Sequence, residues 1–246
     1  MTTPNERKRQ ERALTTTSYA VLSVLSLRPH STYDITRQMR RSMHYMWPRA
    51  ESNVYAEPRR LVEAGLATAR EEWNGQRRRT VYFITDSGRA ALAEWLASPS
   101  ARQRYECEVL LKVLFAENGD RDDLLASIRA LGDDATEVMR HFLRIALQYA
   151  AGEGEYPWRF GLSGLAARLL MEQQAATLRW ARWAEELVAG WEEPLSADAT
   201  WGVETLRAAG EPLPLSEDPM RDIVRTGPSG DDGSLEGHWY RIPDSL

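Results

Sequence analysis

The side chains best equipped for chemistry in this chain are arginines. Arg77, Arg78 and Arg79 stand just beyond Asn74-Gly75, and Arg59 and Arg60 lie a short way upstream. A guanidinium is permanently charged and offers a planar fork of donors, which fits phosphate oxygens and the acceptor edge of a guanine. Grouped this closely, such forks point to a polyanion; the plainer alternative is a solvated hairpin tip. Signals for catalysis are poor. The four histidines, His30, His44, His141 and His238, are scattered, and neither a glycine-rich phosphate loop nor an HExxH motif occurs. Cys107 falls in an apolar helical run and reads as a buried structural thiol, while Glu106, Glu108, Glu185 and Glu186 read as solvated helix faces. The expectation is therefore a non-enzyme with no metal and no cofactor.

Charge is distributed unevenly. The formal net charge is -5, yet the chain up to Ala97 carries 16 Lys+Arg against 10 Asp+Glu, and the remainder 15 against 26. An N-terminal part that meets a polyanion and a C-terminal part with other work would produce this split, as would an ordinary uneven surface. Lys8 and Lys112 are the only lysines, a bias that genome composition can also explain. With Cys107 as the sole cysteine, no intrachain disulfide can form, and the charged start "MTTPNERKRQER" lacks an apolar signal core. Tyr19 to Leu27 is too short to span a bilayer. A cytoplasmic protein without membrane contact is expected.

The elements that must hold the arginines can be read from caps and periodicity. Small and apolar residues from Ser18 to Leu27 suit a first helix buried on most sides, ended by Arg28-Pro29-His30. Ser31 and Asp34 form a capping box for a second helix reaching about His44, with Tyr33, Ile35 and Met39 as its apolar surface. After the break at "YMWPRAE", Ser52 is a good N-cap for a third helix ending at Gly65. In it, Val54, Tyr55, Leu61 and Val62 are expected to face the core, and Pro58 to bend or loosen it. Leu66 to Trp73 and Arg79 to Ile84 read as strands joined through Asn74-Gly75, and Thr85 caps a fourth helix to about Leu96.

Helix, helix, helix, hairpin, helix is the order of a winged helix-turn-helix. That arrangement sends its third helix into a major groove while the ribbon's arginines reach neighbouring phosphates or the minor groove. Arg59 and Arg60 sit on the third helix, where phosphate and base edge are both within reason.

Beyond Tyr105 the pattern is helical and acidic. Cys107, Leu110, Leu111 and Leu114 make one amphipathic stretch; Leu124, Leu125, Ile128 and Leu131 a second; Val138, Phe142, Ile145 and Tyr149 a third helix. Another runs from about Ser163 to Trp191, with Leu165, Leu169, Ala176, Trp180, Trp183 and Leu187 broadly on one face. Long striped helices outside a small domain need a surface to pack on, which a second subunit would supply. Trp180 and Trp183 are candidates for a planar-effector pocket or, more plainly, for packing in a dimer seam. Past Pro194 the composition favours a poorly ordered tail, although Trp201, Trp239 and Tyr240 argue that pieces of it dock.

"YAVLSVLSLRPHSTYDITRQM" followed by "SNVYAEPRRLVEAGLATAREEWNGQRRRTVYFITDSGRAAL" resembles the winged-helix domain of PadR-family transcriptional regulators, over roughly Tyr19 to Leu96. "YECEVLLKVLFAENGDRDDLLASI" looks like the start of the helical C-terminal region of the virulence-activator-like branch. The resemblance implies a homodimer that binds a partly palindromic double-stranded operator, usually as a repressor, with C-terminal helices holding the dimer and a small-molecule effector in some relatives. It places Tyr19 and Tyr33 at aromatic positions of the first two helices, Ser52, Asn53, Tyr55 and Arg60 on the recognition helix, and Arg77 to Arg79 on the wing. Where the family commonly has proline after the recognition-helix tyrosine and leucine two residues later, this chain has Ala56 and Pro58.

The expected fold class is mainly α: a polar arm over 1–17, a winged helix-turn-helix over 18–97, a helical dimerisation and effector region over 98–193 and a Pro/Gly-rich tail over 194–246. The rival from another class is a winged-helix adaptor that binds proteins instead of DNA.

Overall fold

The computed structural model describes residues 14–47, 51–75, 77–103, 105–191 and 199–211. Residues 1–13 of the expected arm over 1–17, Pro48, His238, Trp239 and Tyr240 lie outside the described residues, and the end of the arm, from Thr15, is already the cap and first turn of a helix. The chain divides into two compact units, Met1–Arg104 and Tyr105–Leu246.

The first unit begins with α1 (Thr16–Leu27). Its start is fixed by a capping box that the sequence pattern did not single out: Thr15 Oγ1 accepts from the Ser18 amide and Ser18 Oγ accepts from the Thr15 amide. Val21, Leu22, Val24 and Leu25 are all buried, so α1 is the central pillar of the core. Burying each such side chain contributes roughly 1.5–3 kcal/mol. Ile35 and Met39 on α2 (Thr32–Ser42) and Val54 and Leu61 on α3 (Glu51–Glu63) close around it.

Two expectations about α3 need amendment. It starts at Glu51, so Ser52 is a first-turn residue and not the N-cap. Tyr55 is 48% exposed and lies off the core face, which Val54, Glu57, Pro58 and Leu61 occupy. Pro58 lies inside a continuous helix with its ring fully buried, so apolar packing offsets the amide bond the ring forgoes. The C-terminal end is as expected. Gly65 takes φ +73, and two reverse bonds, from the Leu66 amide to the Leu61 carbonyl and from the Gly65 amide to the Val62 carbonyl, make a Schellman close.

The sheet has three strands in the order β1-β3-β2, with β1 (His30–Ser31), β2 (Ala67–Asn74) and β3 (Arg77–Ile84). Only the hairpin is legible in the sequence; β1 pairs His30 with Tyr82 and Ser31 with Val81. In the hairpin Asn74 pairs with Arg77, so Asn74 belongs to β2 and the turn begins at Gly75. Gly75, at φ +61, takes its first position, where a side chain would be strained. Thr85 then caps α4 (Asp86–Ala97) by accepting from the Gly88 amide, and Tyr19 stacks on Trp95 of α4 at 4.9 Å.

In the second unit, α5 (Glu108–Leu114) and a short 3-10 turn lead to α6 (Arg121–Ala150), then α7 (Phe160–Ala189) and α8 (Ala199–Arg207). α6 merges two stretches that the apolar spacing presents as separate, because Gly132 is buried and accommodated within one 30-residue helix. α6 and α7 run antiparallel for about 45 Å, and Arg129 pairs with Glu185 at 2.6 Å. A β-carbon on Gly132 would stand 3.3 Å from that of Ala181, a close approach allowed by small residues on both helices.

That approach sets which face of α7 is buried. Ala175, Leu178, Ala181, Ala184 and Val188 pack on α6, whereas Leu165 and Leu169 of the expected apolar stripe are largely exposed. α5 differs in the same way. Val109 and Val113 pack on the Leu124, Leu125 and Ile128 cluster, Leu110, Leu111 and Leu114 face outward, and Cys107 precedes the helix at its N-cap. Among the described residues no helix is long and apolar enough to cross a membrane.

Candidate nucleic-acid interface

The exposed face of α3 is complementary to its buried one. With Val54, Glu57, Pro58 and Leu61 turned inward, Asn53, Tyr55, Ala56, Arg59 and Arg60 are left on the outside. A helix with a protruding polar and basic stripe, backed by a rigid apolar core, suits entry into a major groove. The side chain of Ser52 lies outside the described set, as does that of Arg77.

Two wing arginines, Arg78 and Arg79, are already engaged. Arg78 Nε lies 2.9 Å from Glu71 Oε2, and the same carboxylate accepts the Thr80 hydroxyl at 2.7 Å. Arg79 reaches Glu72 at 3.6 Å and Asp34 of α2 at 3.7 Å. On α3, Arg59 pairs with Glu63 at 3.1 Å. These pairs are solvent-facing and each contributes about 0–1 kcal/mol, so exchanging a carboxylate for a phosphate costs little.

Arg60 is different. Its Nη1 lies 3.0 Å from Glu57 Oε1, and the Glu57 side chain is 6% exposed against 55% for Arg60. The other carboxylate oxygen, Oε2, accepts the Ser18 hydroxyl at 2.8 Å. Glu57 is therefore a buried carboxylate with partners on two helices. Sequence reasoning passes over it, since a helical glutamate reads as solvated and nothing local signals a serine 39 positions earlier.

Of the two tyrosines implied by resemblance, Tyr33 stands exposed at the start of α2 with the Arg37 guanidinium 5.9 Å from its ring centre. Tyr19 is half-buried and stacked on Trp95. Asp34 gathers the charge between α2 and the wing. Burial pushes its carboxyl up, but the Ser31 hydroxyl and amide and the Arg37 and His30 charges outweigh that and hold it below the ordinary 3.8. A further residue missed from sequence is Trp73 on β2, cross-strand from Arg78 and 73% exposed near the hairpin tip. Its place in an alternating strand pattern is legible; its exposure is not.

In the second unit Trp180 and Trp183 are half-buried against Leu124, Leu125, Ile128, Ala181, Ala184 and Val188. Trp183 is covered by Trp201 of α8, stacked at 6.4 Å, and Trp191 meets Trp201 edge-on at 5.9 Å.

Comparison with known proteins follows the same division. Residues 21–94 match the transcriptional regulator PadR-like family. The negative transcriptional regulator PadR of Bacillus subtilis (strain 168) is 33% identical over 79 residues, 32% of this chain and 43% of the relative. The probable transcriptional regulator Rv1176c of Mycobacterium tuberculosis is 32% identical over 87, covering 35% and 46%. The chain thus spans less than half the length of the curated relatives it matches. Among solved structures, Bacillus subtilis PadR in complex with operator DNA aligns with a TM-score of 0.60 at 21% identity, covering 71% of this chain and 99% of that one. The same protein bound to p-coumaric acid aligns at 0.55 and 20%, covering 73% and 100%. The Vibrio cholerae virulence activator AphA aligns at 0.52 and 27% identity, covering 70% and 96%. Residues 21–94 of this chain are a winged-helix domain of the transcriptional regulator PadR-like family.

Proposed function

We propose that this chain is a sequence-specific DNA-binding transcriptional regulator that acts in the cytoplasm as a homodimer, usually to repress. The observation that carries the reading is the outward stripe of Asn53, Tyr55, Arg59 and Arg60 on α3, on a domain whose wing offers Arg78 and Arg79 in weak, exchangeable pairs. In this reading α3 enters the major groove, with Asn53 and Arg60 as the base-edge candidates and Ser52, Tyr55 and Arg59 beside them. The wing, Arg77 to Arg79, takes phosphates, and Tyr33 with Arg37 flanks the backbone. Tyr19 ties α1 to α4 by its stack on Trp95 and packs against the core cluster behind α3.

Dimerisation is assigned to the second unit. Leu162, Leu165 and Leu169 recur along α7 as an exposed apolar stripe, continued by Trp158 before the helix, and a stripe of this kind fits a second copy of itself. Two winged units held at a fixed separation read two half-sites about 34–36 Å apart. A planar effector is assigned to the Trp180 and Trp183 region; the p-coumaric acid complex of Bacillus subtilis PadR supports that class of ligand. At Trp183 such a ligand has to displace Trp201.

Selection of duplexes from a random-sequence pool with the full chain tests the proposal. Enrichment of a two-fold symmetric site bound by a dimer supports it. Failure to enrich any sequence, together with retention of a protein partner through α3, would establish the adaptor reading.

A further inference from the structure

We infer that Glu57 is a positioning residue for DNA recognition: from inside the core it holds the Arg60 guanidinium at a fixed angle on the outer face of α3. The inference rests on the DNA-binding reading above and adds to it the device that orients its base-edge arginine. Four groups are connected in series. The Thr15 amide donates to Ser18 Oγ at 3.0 Å, the Ser18 hydroxyl donates to Glu57 Oε2 at 2.8 Å, and Glu57 Oε1 takes Arg60 Nη1 at 3.0 Å. The series begins at the capped end of α1, the most buried helix of the unit, and ends on a side chain that is 55% exposed.

Stability is a poor explanation for this arrangement. Glu57 is 4% exposed as a residue, flanked by fully buried Pro58 and Leu61, and replacing a buried ion pair with well-packed apolar residues is often neutral or stabilising. What a buried carboxylate with both oxygens engaged does supply is direction. An exposed arginine samples many rotamers, and an unbraced one would meet a base edge in many orientations. Buttressed at Nη1, the guanidinium plane is set before DNA arrives, and the solvent-facing donors are left to engage the base. Arg59, by contrast, pairs with Glu63, which is itself exposed, and so has no anchor.

The charge balance yields a signature that a structural role lacks. Glu57→Gln keeps an acceptor for Ser18 but removes a negative charge beneath Arg60. Sequence discrimination should fall, because Arg60 is no longer aimed, while non-specific affinity should rise, because the face is more positive.

The experiment compares wild type, Glu57→Gln, Arg60→Ala and the double variant, all as full chains. Binding is measured to the duplex that wild type enriches from a random pool and to a scrambled duplex, with melting curves confirming the fold. Expected are an approximately ten-fold loss of discrimination in Glu57→Gln, the order of one base contact, a gain of about two-fold on scrambled DNA, and no further loss of discrimination when Glu57→Gln is added to Arg60→Ala. Equal weakening on both duplexes, or an undiminished Glu57→Gln effect in the Arg60→Ala background, overturns the inference. If Glu57→Gln does not fold, Arg60→Lys replaces it, keeping the charge without the planar fork; wild-type discrimination in that variant overturns the inference equally. A wild-type chain that enriches no duplex defeats the DNA-binding reading itself, a result distinct from either.

Discussion

Trp183 and Trp201 lie ring on ring, with centroids 6.4 Å apart and planes 19° from parallel. The contact fastens α8, a helix beyond the long α6–α7 hairpin, to the end of that hairpin. Stacked aromatic pairs contribute about 0.5–1.5 kcal/mol beyond the area they bury. Trp201→Ala should therefore release α8, red-shift the emission of Trp183 and lower the unfolding free energy by about 1 kcal/mol. It should also raise the affinity of a planar ligand for the exposed ring. Unchanged near-ultraviolet circular dichroism in the variant would mean that Trp201 does not cover Trp183 in solution.

The wing arginines should act through salt-dependent engagement of phosphates. Replacing Arg77, Arg78 and Arg79 together with alanine should weaken selected and scrambled duplexes alike, and flatten the log-log salt dependence by about 1 for each phosphate left unneutralised per subunit. Anisotropy titrations at several potassium chloride concentrations measure both quantities. A slope identical to wild type removes the wing from the interface.

Leu165 and Leu169 on the outer face of α7 should be essential to the dimer and dispensable to the subunit. Substituting both with aspartate leaves the α6–α7 packing intact, since neither faces it, but places charge in the proposed seam. Light scattering should then report a monomer with wild-type helicity. A dimer that survives both changes assigns the seam to another face.

Asp34 predicts an acid limb to stability. Burial raises its carboxyl, but Ser31, Arg37 and His30 outweigh that and hold it below the ordinary 3.8. The folded state therefore binds that proton more weakly than the unfolded chain. The contribution is complete above the unfolded value and is lost as pH falls through the folded one. The stability gap between wild type and Asp34→Asn should be constant near neutrality and narrow below about pH 4. A gap that is flat down to about pH 2 contradicts the assignment.

Core packing in the first unit should be unforgiving. Leu61 is fully buried in the cluster built on α1, and Leu61→Ala should cost about 2–5 kcal/mol in denaturant melts. A loss below about 1 kcal/mol would show that the site collapses around the deletion.

Local signals make much of this fold readable. Ser31, Gly65 and Thr85 each satisfy orphan backbone groups within a few residues, so the ends of α2, α3 and α4 follow from neighbours alone. β1 cannot be read that way: two residues have no periodicity, and although Ser31 is extended as the cap of α2, His30 and Ser31 form a strand only because β3 is there to pair with them. The faces of α5 and α7 elude the sequence for a related reason. α7 carries large apolar residues on more than one side, and the buried side is decided by Ala175, Ala181 and Ala184, small enough to admit a close partner that the pattern of leucines does not announce. In the candidate site, the exposed arginines are legible as forks for phosphate. Their carboxylate partners are less so: Glu57 is a local i,i+3 neighbour of Arg60, but its bond to Ser18, and the roles of Glu71 and Asp34 toward the wing, arise through pairings made across the fold.

The two-residue strand β1 has a mechanical consequence. It grips β3 at Val81 and Tyr82, beside the core, so the ribbon is a cantilever clamped at its root and held beyond Thr80 only by side-chain contacts such as the Arg79–Asp34 pair. Each strand rises about 3.4 Å per residue, so Arg77 stands roughly 14 Å out from the clamped Val81. A beam of that length can bend at its tip to follow a groove that is locally wide or narrow while its base stays registered with α3, so stiffness at the root and compliance at the arginines are set by where β1 stops.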